Sequence, residues 1–197
     1  MVCFENAGKQ NTAEAIRIAL ERAKALGCPI VAASTMGVTA DALLTAAEAA
    51  GFQGKIVIVR GCSSKQRSGV NLMKPETKAA LEARGATIVT AAHALSAGER
   101  AISTGFRGAY PLEIMAHTLR LFGQGTKVCV EASVMALDAD AIPFGVPVVA
   151  IGGSHRGADT AAVITPSYSA SVLNTVVNEL LCKPFDIRNP DPSMTFE

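Results

Sequence analysis

Apolar residues recur at Ile16, Ala19, Leu20, Ala23 and Leu26, a helical spacing that opens after Asn11 and Thr12 and stops at Gly27. This pattern predicts a first helix over residues 12–26. The period then changes. Pro29 to Ser34 is a short apolar run with β-branched side chains, ended by a turn containing Gly37, and an Ala/Leu-rich helix capped by Thr39 follows to Ala50. Strand, glycine turn and helix come in that order.

The order repeats. Residues 55–60 read as a strand, a polar loop runs to Lys74, Pro75 opens a helix, and residues 87–90 read as the next strand. Between His93 and Gly125 the spacing predicts two helices, a short one over 98–103 and a longer one over 111–122. Strands are expected again at 127–131, 147–151 and 160–165. Eight residues join the last two, too few for a parallel crossover, so the 160–165 strand should run antiparallel at an edge of the sheet. A helix from Ser169 to Cys182, apolar at Val172, Leu173, Val176, Val177, Leu180 and Leu181, and an irregular tail after Lys183 complete the reading. Strands alternating with helices predict a doubly wound α/β fold with a mostly parallel sheet. With the five parallel strands numbered along the chain, the expected order is 3-2-1-4-5 plus the antiparallel edge strand.

Composition narrows the class. A chain of 197 residues, 49% hydrophobic and 18% charged, has the makings of one folded domain over residues 1–197 without disulfides or a structural metal. The formal net charge is +1 and the basic residues are scattered, which argues against a nucleic-acid partner. Neither a signal-type start nor an apolar run of membrane-spanning length is present, so a cytoplasmic protein without membrane association is expected. The five cysteines are widely spaced with no C-x-x-C pair, which suits reduced thiols, and the three histidines form no ligand pattern with them, so no metal is expected. Apolar helix faces leave a homo-oligomer open.

Two segments carry candidate chemistry. Ser34, Thr35, Met36, Gly37, Val38 and Thr39 lie between a core strand and a helix, where unpaired backbone N–H groups and a partial positive charge favour an anion such as phosphate. Gly37 would let backbone approach the anion, and three hydroxyls could donate to it. The same turn reads equally as a helix cap. No Lys follows the glycine, so the Walker pattern of nucleotide hydrolases is absent. The second segment, Gly152 to Thr160, joins the last two expected strands on the same rim. Arg156 supplies a fork suited to phosphate, and Gly153 and Gly157 let the loop fold over a ligand, with Thr160 at its end. A solvated glycine-rich hairpin is the alternative. His93, after the third strand, and Glu131, at the end of the expected 127–131 strand, are candidate proton carriers.

Several stretches together resemble the carboxy-terminal domain of pyruvate kinase, and more closely the stand-alone proteins similar to that domain. They are Phe4-Glu5-Asn6 with Gly8-Lys9 and Asn11-Thr12, then Ala33-Ser34 with Gly37 and Thr39-Ala40. His93-Ala94-Leu95-Ser96, Glu99-Arg100-Ala101-Ile102, Thr118-Leu119-Arg120 with Phe122-Gly123-Gln124-Gly125, and Gly157-Ala158-Asp159-Thr160-Ala161 continue the likeness. The resemblance implies phosphate-holding roles for Ser34, Thr35, Gly37 and Thr39 and for Arg156 and Gly157. The tryptophan and proline of the pyruvate kinase loop are missing, so its effector specificity does not carry over, and the catalytic barrel is missing as well. The stand-alone proteins suggest flavin mononucleotide as the first candidate cofactor, with Met36, His93 and Met135 lining its ring. The expected function is binding of a phosphate-bearing small molecule in a crevice at the carboxyl ends of the strands. A flavin-dependent or phosphosugar-transforming enzyme and a regulatory or scaffolding protein without ligand are the alternatives.

Overall fold

The computed structural model describes residues 1–62 and 69–186. Among these, seven strands form one mixed sheet: β1 (Val2–Asn6), β2 (Ile30–Ala33), β3 (Ile56–Gly61), β4 (Thr87–Ala91), β5 (Val148–Gly152), β6 (Thr160–Thr165) and β7 (Val176–Asp186). Their order across the sheet is β1-β7-β6-β5-β2-β3-β4. Strands β5, β2, β3 and β4 are mutually parallel, β6 is antiparallel to both β5 and β7, and β1 pairs parallel with β7.

The helices are α1 (Thr12–Leu26), α2 (Val38–Ala49), α3 (Pro75–Ala83), α4 (Ala97–Phe106), α5 (Pro111–Arg120) and α6 (Gln124–Asp138). Their placement follows from the alternation of side chains along the central strands. Ile30 and Ala32 of β2, Ile56 and Ile58 of β3, and Val149 and Ile151 of β5 share one core with the apolar faces of α1, α2 and α3. Val31, Val57, Val59, Val148 and Ala150 point the other way into a second core built mainly on α6. Both faces are covered, which is why β2 and β5 read as continuous apolar runs and not as alternating ones.

The two faces differ in construction. On the first, α1 is an amphipathic surface helix whose outer side carries the ion pairs of Arg17 with Glu14 and Glu21, and whose end is sealed by Gly27 in the left-handed conformation. On the second, α6 lies against every strand from β2 to β7, while α5 packs on α6 and α4 on α5. Twelve of the fifteen residues of α6 are buried, so this helix has no solvent face.

Residues 127–131, expected as a strand, lie inside α6. Val128 and Val130 give that stretch the alternation of a strand, and burial on all sides removes the polar stripe that would mark a helix. The expected 3-2-1-4-5 order therefore loses its fourth strand, and 148–152 pairs directly with 30–33. The 160–165 strand is antiparallel but lies inside the sheet, because residues 176–186, expected as the end of a helix to Cys182 and the start of an irregular tail, form β7 on its far side. Only a short 3-10 turn, Ser169–Asn174, remains of that helix. Pairing on both edges of β7 outweighs the helical spacing of its apolar residues, a case of tertiary context deciding a segment rich in valine. Strand β1 has no counterpart among the expected elements.

Candidate functional site

The chain runs outward from β2 through β3 to β4 and then returns to place β5 on the other side of β2, so the direction of winding reverses between β2 and β5. In open parallel sheets a crevice forms at such a point, beyond the carboxyl ends of the strands, because the connecting loops diverge to opposite faces. A cavity of about 710 Å³ occupies this position. Ser34 and Thr35 after β2, Gly61 at the end of β3, His93 after β4, and Gly153 to Gly157 after β5 all contribute to its wall.

The turn after β2 is shaped by Gly37. Its φ is +100°, and a Cβ there would lie 2.5 Å from Cγ2 of Thr77 on α3, so both conformation and close packing require glycine. Ser34 is buried, and its Oγ accepts a hydrogen bond from the Ala40 amide at 3.3 Å. The Val38 and Thr39 amides in the first turn of α2 have no acceptor among the described residues. Thr39, expected as the cap, is instead the second residue of the helix, with Gly37 in the capping position and no side-chain cap bond.

The loop after β5 is held from beneath by Asp159, which is fully buried. Its Oδ2 accepts the Ser154 amide at 3.2 Å and the Gly8 amide at 3.0 Å, while its Oδ1 accepts the Thr160 hydroxyl at 2.8 Å. The Thr12 Oγ1 accepts the Ala158 amide at 2.9 Å, and Gly157, with φ +74°, passes so close that a Cβ would lie 2.3 Å from that same oxygen. The segment from Gly8 to Thr12 and the loop over 153–157 thus form one clasp, which packs Lys9 against Gly157 at the cavity wall.

The floor of the cavity is α6, through Gln124, Val128, Glu131, Ala132 and Met135, residues on one helical face. Glu131 is only 3% exposed and is met from three sides. His93 Nδ1 lies 3.0 Å from its Oε2, the Leu95 amide donates to Oε1 at 3.0 Å, and Lys127, one turn earlier on α6 and 4% exposed, donates to Oε2. Burial alone would raise the Glu131 carboxyl, but the hydrogen bond from His93 and the charge of Lys127 outweigh it and hold the group down at about 2. Burial pulls Lys127 below its ordinary value, with the Glu131 carboxylate opposing and the charges of Arg120 and Arg100 adding to the depression.

Of the residues expected at the site, Ser34, Thr35, Met36, Thr39, His93, Glu131, Gly153, Arg156 and Gly157 line the same cavity. Gly37 and Thr160 do not. Gly37 turns its α-carbon toward α3, and Thr160 is fully buried on β6, where its hydroxyl is spent on Asp159. Lys9, Thr12, Arg60, Gln124 and Val128 are wall residues that sequence reasoning did not single out. For Arg60 a signal existed, since it closes a predicted parallel strand, where ligand-facing residues gather. Lys9 reaches the site only through the clasp and has no such local mark. No protein-family model matches the chain.

Proposed function

We propose that the protein binds a phosphate-bearing small molecule in the cavity between β2 and β5, with the phosphate at the 34–39 turn and the 153–157 loop. The charge balance of the wall carries this reading. Lys9, Arg60 and Arg156 line the cavity without a carboxylate partner among the described residues, and the one described carboxylate in the wall, Glu131, is neutralised by Lys127 beneath it. An anion entering there meets net positive charge, and free amides of α2 point the partial positive end of a helix at it.

An apolar part of the wall, formed by Met36, Val38, Val59, Ala132 and Met135, suits a ligand with a phosphate at one end and a flat or hydrophobic body. Flavin mononucleotide meets that description and is the first candidate cofactor, its ring held by aliphatic and methionine side chains. A sugar phosphate is the second candidate.

Thermal unfolding in the presence of flavin mononucleotide, ribose 5-phosphate and inorganic phosphate tests the reading. At a hundredfold excess over its dissociation constant a true ligand should raise the midpoint by roughly 5 to 10 °C. Arg156→Ala should reduce that rise. No shift with any of the three, together with purified protein lacking a flavin absorbance band, would remove the proposal.

A further inference from the structure

His93 is set up as a directional acceptor, and the direction follows from its partner. Glu131 Oε2 accepts from Lys127 and Oε1 accepts from the Leu95 amide, so the carboxylate is surrounded by donors and has no proton to give. The 3.0 Å contact with His93 Nδ1 must then be Nδ1–H donating to the carboxylate. In neutral His93 the other ring nitrogen, Nε2, is consequently bare. Nε2 has no partner among the described residues, and the ring lines the cavity where β3 ends at Gly61, a Cβ on which would stand 3.7 Å from Nε2. The absent side chain at Gly61 leaves that nitrogen open to the cavity.

We propose that His93, oriented by Glu131, is the specificity-determining acceptor for an O–H or N–H group at the far end of the ligand. This rests on the phosphate reading given above, since the phosphate subsite fixes which end is far. His93 Nε2 stands over the end of β3, one strand spacing, about 5 Å, from β2. The ligand class is therefore a phosphate monoester whose body crosses from the turn after β2 to the end of β3 and presents a hydroxyl or ring N–H there. Sugar phosphates and flavin mononucleotide both carry such donors. Glu131 and Lys127 act through His93 as positioning residues: Glu131 selects the tautomer, and Lys127 keeps Glu131 ionised. The charged groups around this set are Lys127 and Glu131 on α6, Arg100 on α4, Arg120 on α5 and Arg60 at the end of β3.

Nitrogen-15 spectra of the full chain, together with calorimetric affinities for inorganic phosphate, ribose 5-phosphate and flavin mononucleotide at alkaline pH, where a histidine is neutral, test the proposal. Neutral His93 should show a protonated Nδ1 and an unprotonated Nε2 in the free protein. In the double replacement Lys127→Met with Glu131→Leu the acceptor for Nδ1–H is gone, and the neutral ring should shift towards the tautomer protonated at Nε2, an effect that a purely structural Glu131 would not produce. With either ester, wild type should bind about tenfold more tightly than His93→Phe. The variant retains the titration of the phosphate itself, so the ratio isolates His93. Inorganic phosphate, which has no far end, should give a ratio of one. A protonated Nε2 in the neutral ring of the wild type, an unchanged tautomer in the double replacement, or equal ester affinities in wild type and His93→Phe would each overturn the proposal. Failure of all three probes to bind would instead remove the phosphate reading and the ligand role that rests on it, while the tautomer in the free protein would still report separately on the His93–Glu131 pair. The arm that binds tells the sugar source from the flavin source.

Discussion

Glu131 concentrates the cost and the use of buried charge in this protein. With Lys127 almost as deeply buried, removing one partner leaves the other as an uncompensated ion, whereas removing both leaves no buried charge and only the Leu95 amide without its acceptor. Glu131→Ala should therefore destabilise the fold by about 3–5 kcal/mol, while the double replacement Lys127→Met with Glu131→Leu should cost less, about 1–3 kcal/mol for the stranded Leu95 amide, in urea unfolding. The pH dependence has a definite sign. Because the folded carboxyl titrates at about 2, below the unfolded value near about 4.3, its contribution is complete above the unfolded range and is lost as pH falls towards the folded value. Acid unfolding of Glu131→Gln should lack that part of the profile. At this scale the sequence exposed His93 and Glu131 as chemically able residues but not Lys127. The four-residue spacing from Lys127 to Glu131 becomes a contact only on a helix, and this stretch reads as a strand.

Among the elements, α6 decides the shape of the cavity, and its distance from the sheet is set by glycine. A Cβ on Gly125 would lie 2.0 Å from Thr160 Oγ1, and one on Gly152 would lie 2.6 Å from the Gly125 carbonyl oxygen. Helix and strand can approach this closely only without side chains at both points. Gly125→Ala should push the start of α6 off β5 and β6, costing about 1–3 kcal/mol in denaturant unfolding and displacing Gln124 and Val128 from the cavity wall. The elements that sequence periodicity located, α1 with its apolar stripe and the turn-bounded strands β2, β3 and β5, have either a solvent face or a clean apolar run. Helix α6 and strand β7 were missed for different reasons. Helix α6 is enclosed on every side, and β7 takes its conformation from β1 and β6, partners that lie far away in the chain. The two candidate loops were legible because glycine and strand ends mark them locally; that they face each other across one cavity depends on the β5 to β2 pairing.

Across the whole molecule, the clasp at Asp159 joins the beginning of α1 to the loop over the cavity. The Gly8 amide, the Ser154 amide and the Thr160 hydroxyl all end on one buried carboxylate, so the loop and the segment before α1 hold or release together. Asp159→Ala should cost about 3 kcal/mol or more, since charged hydrogen bonds are lost in a buried place, and should speed hydrogen exchange at the Gly8 and Ser154 amides in parallel. Ligand affinity should fall with it, because Lys9 and Arg156 lose their common support. Strand β7 joins the molecule in another way, paired on one side with residues 2–6 and on the other with residues 160–165. During synthesis, therefore, β6 has an unpaired edge of buried apolar residues until residues 176–186 leave the ribosome. The nascent chain passes through a window in which a neighbouring chain could take that edge, and protection by a chaperone over that interval should raise the yield of folded protein.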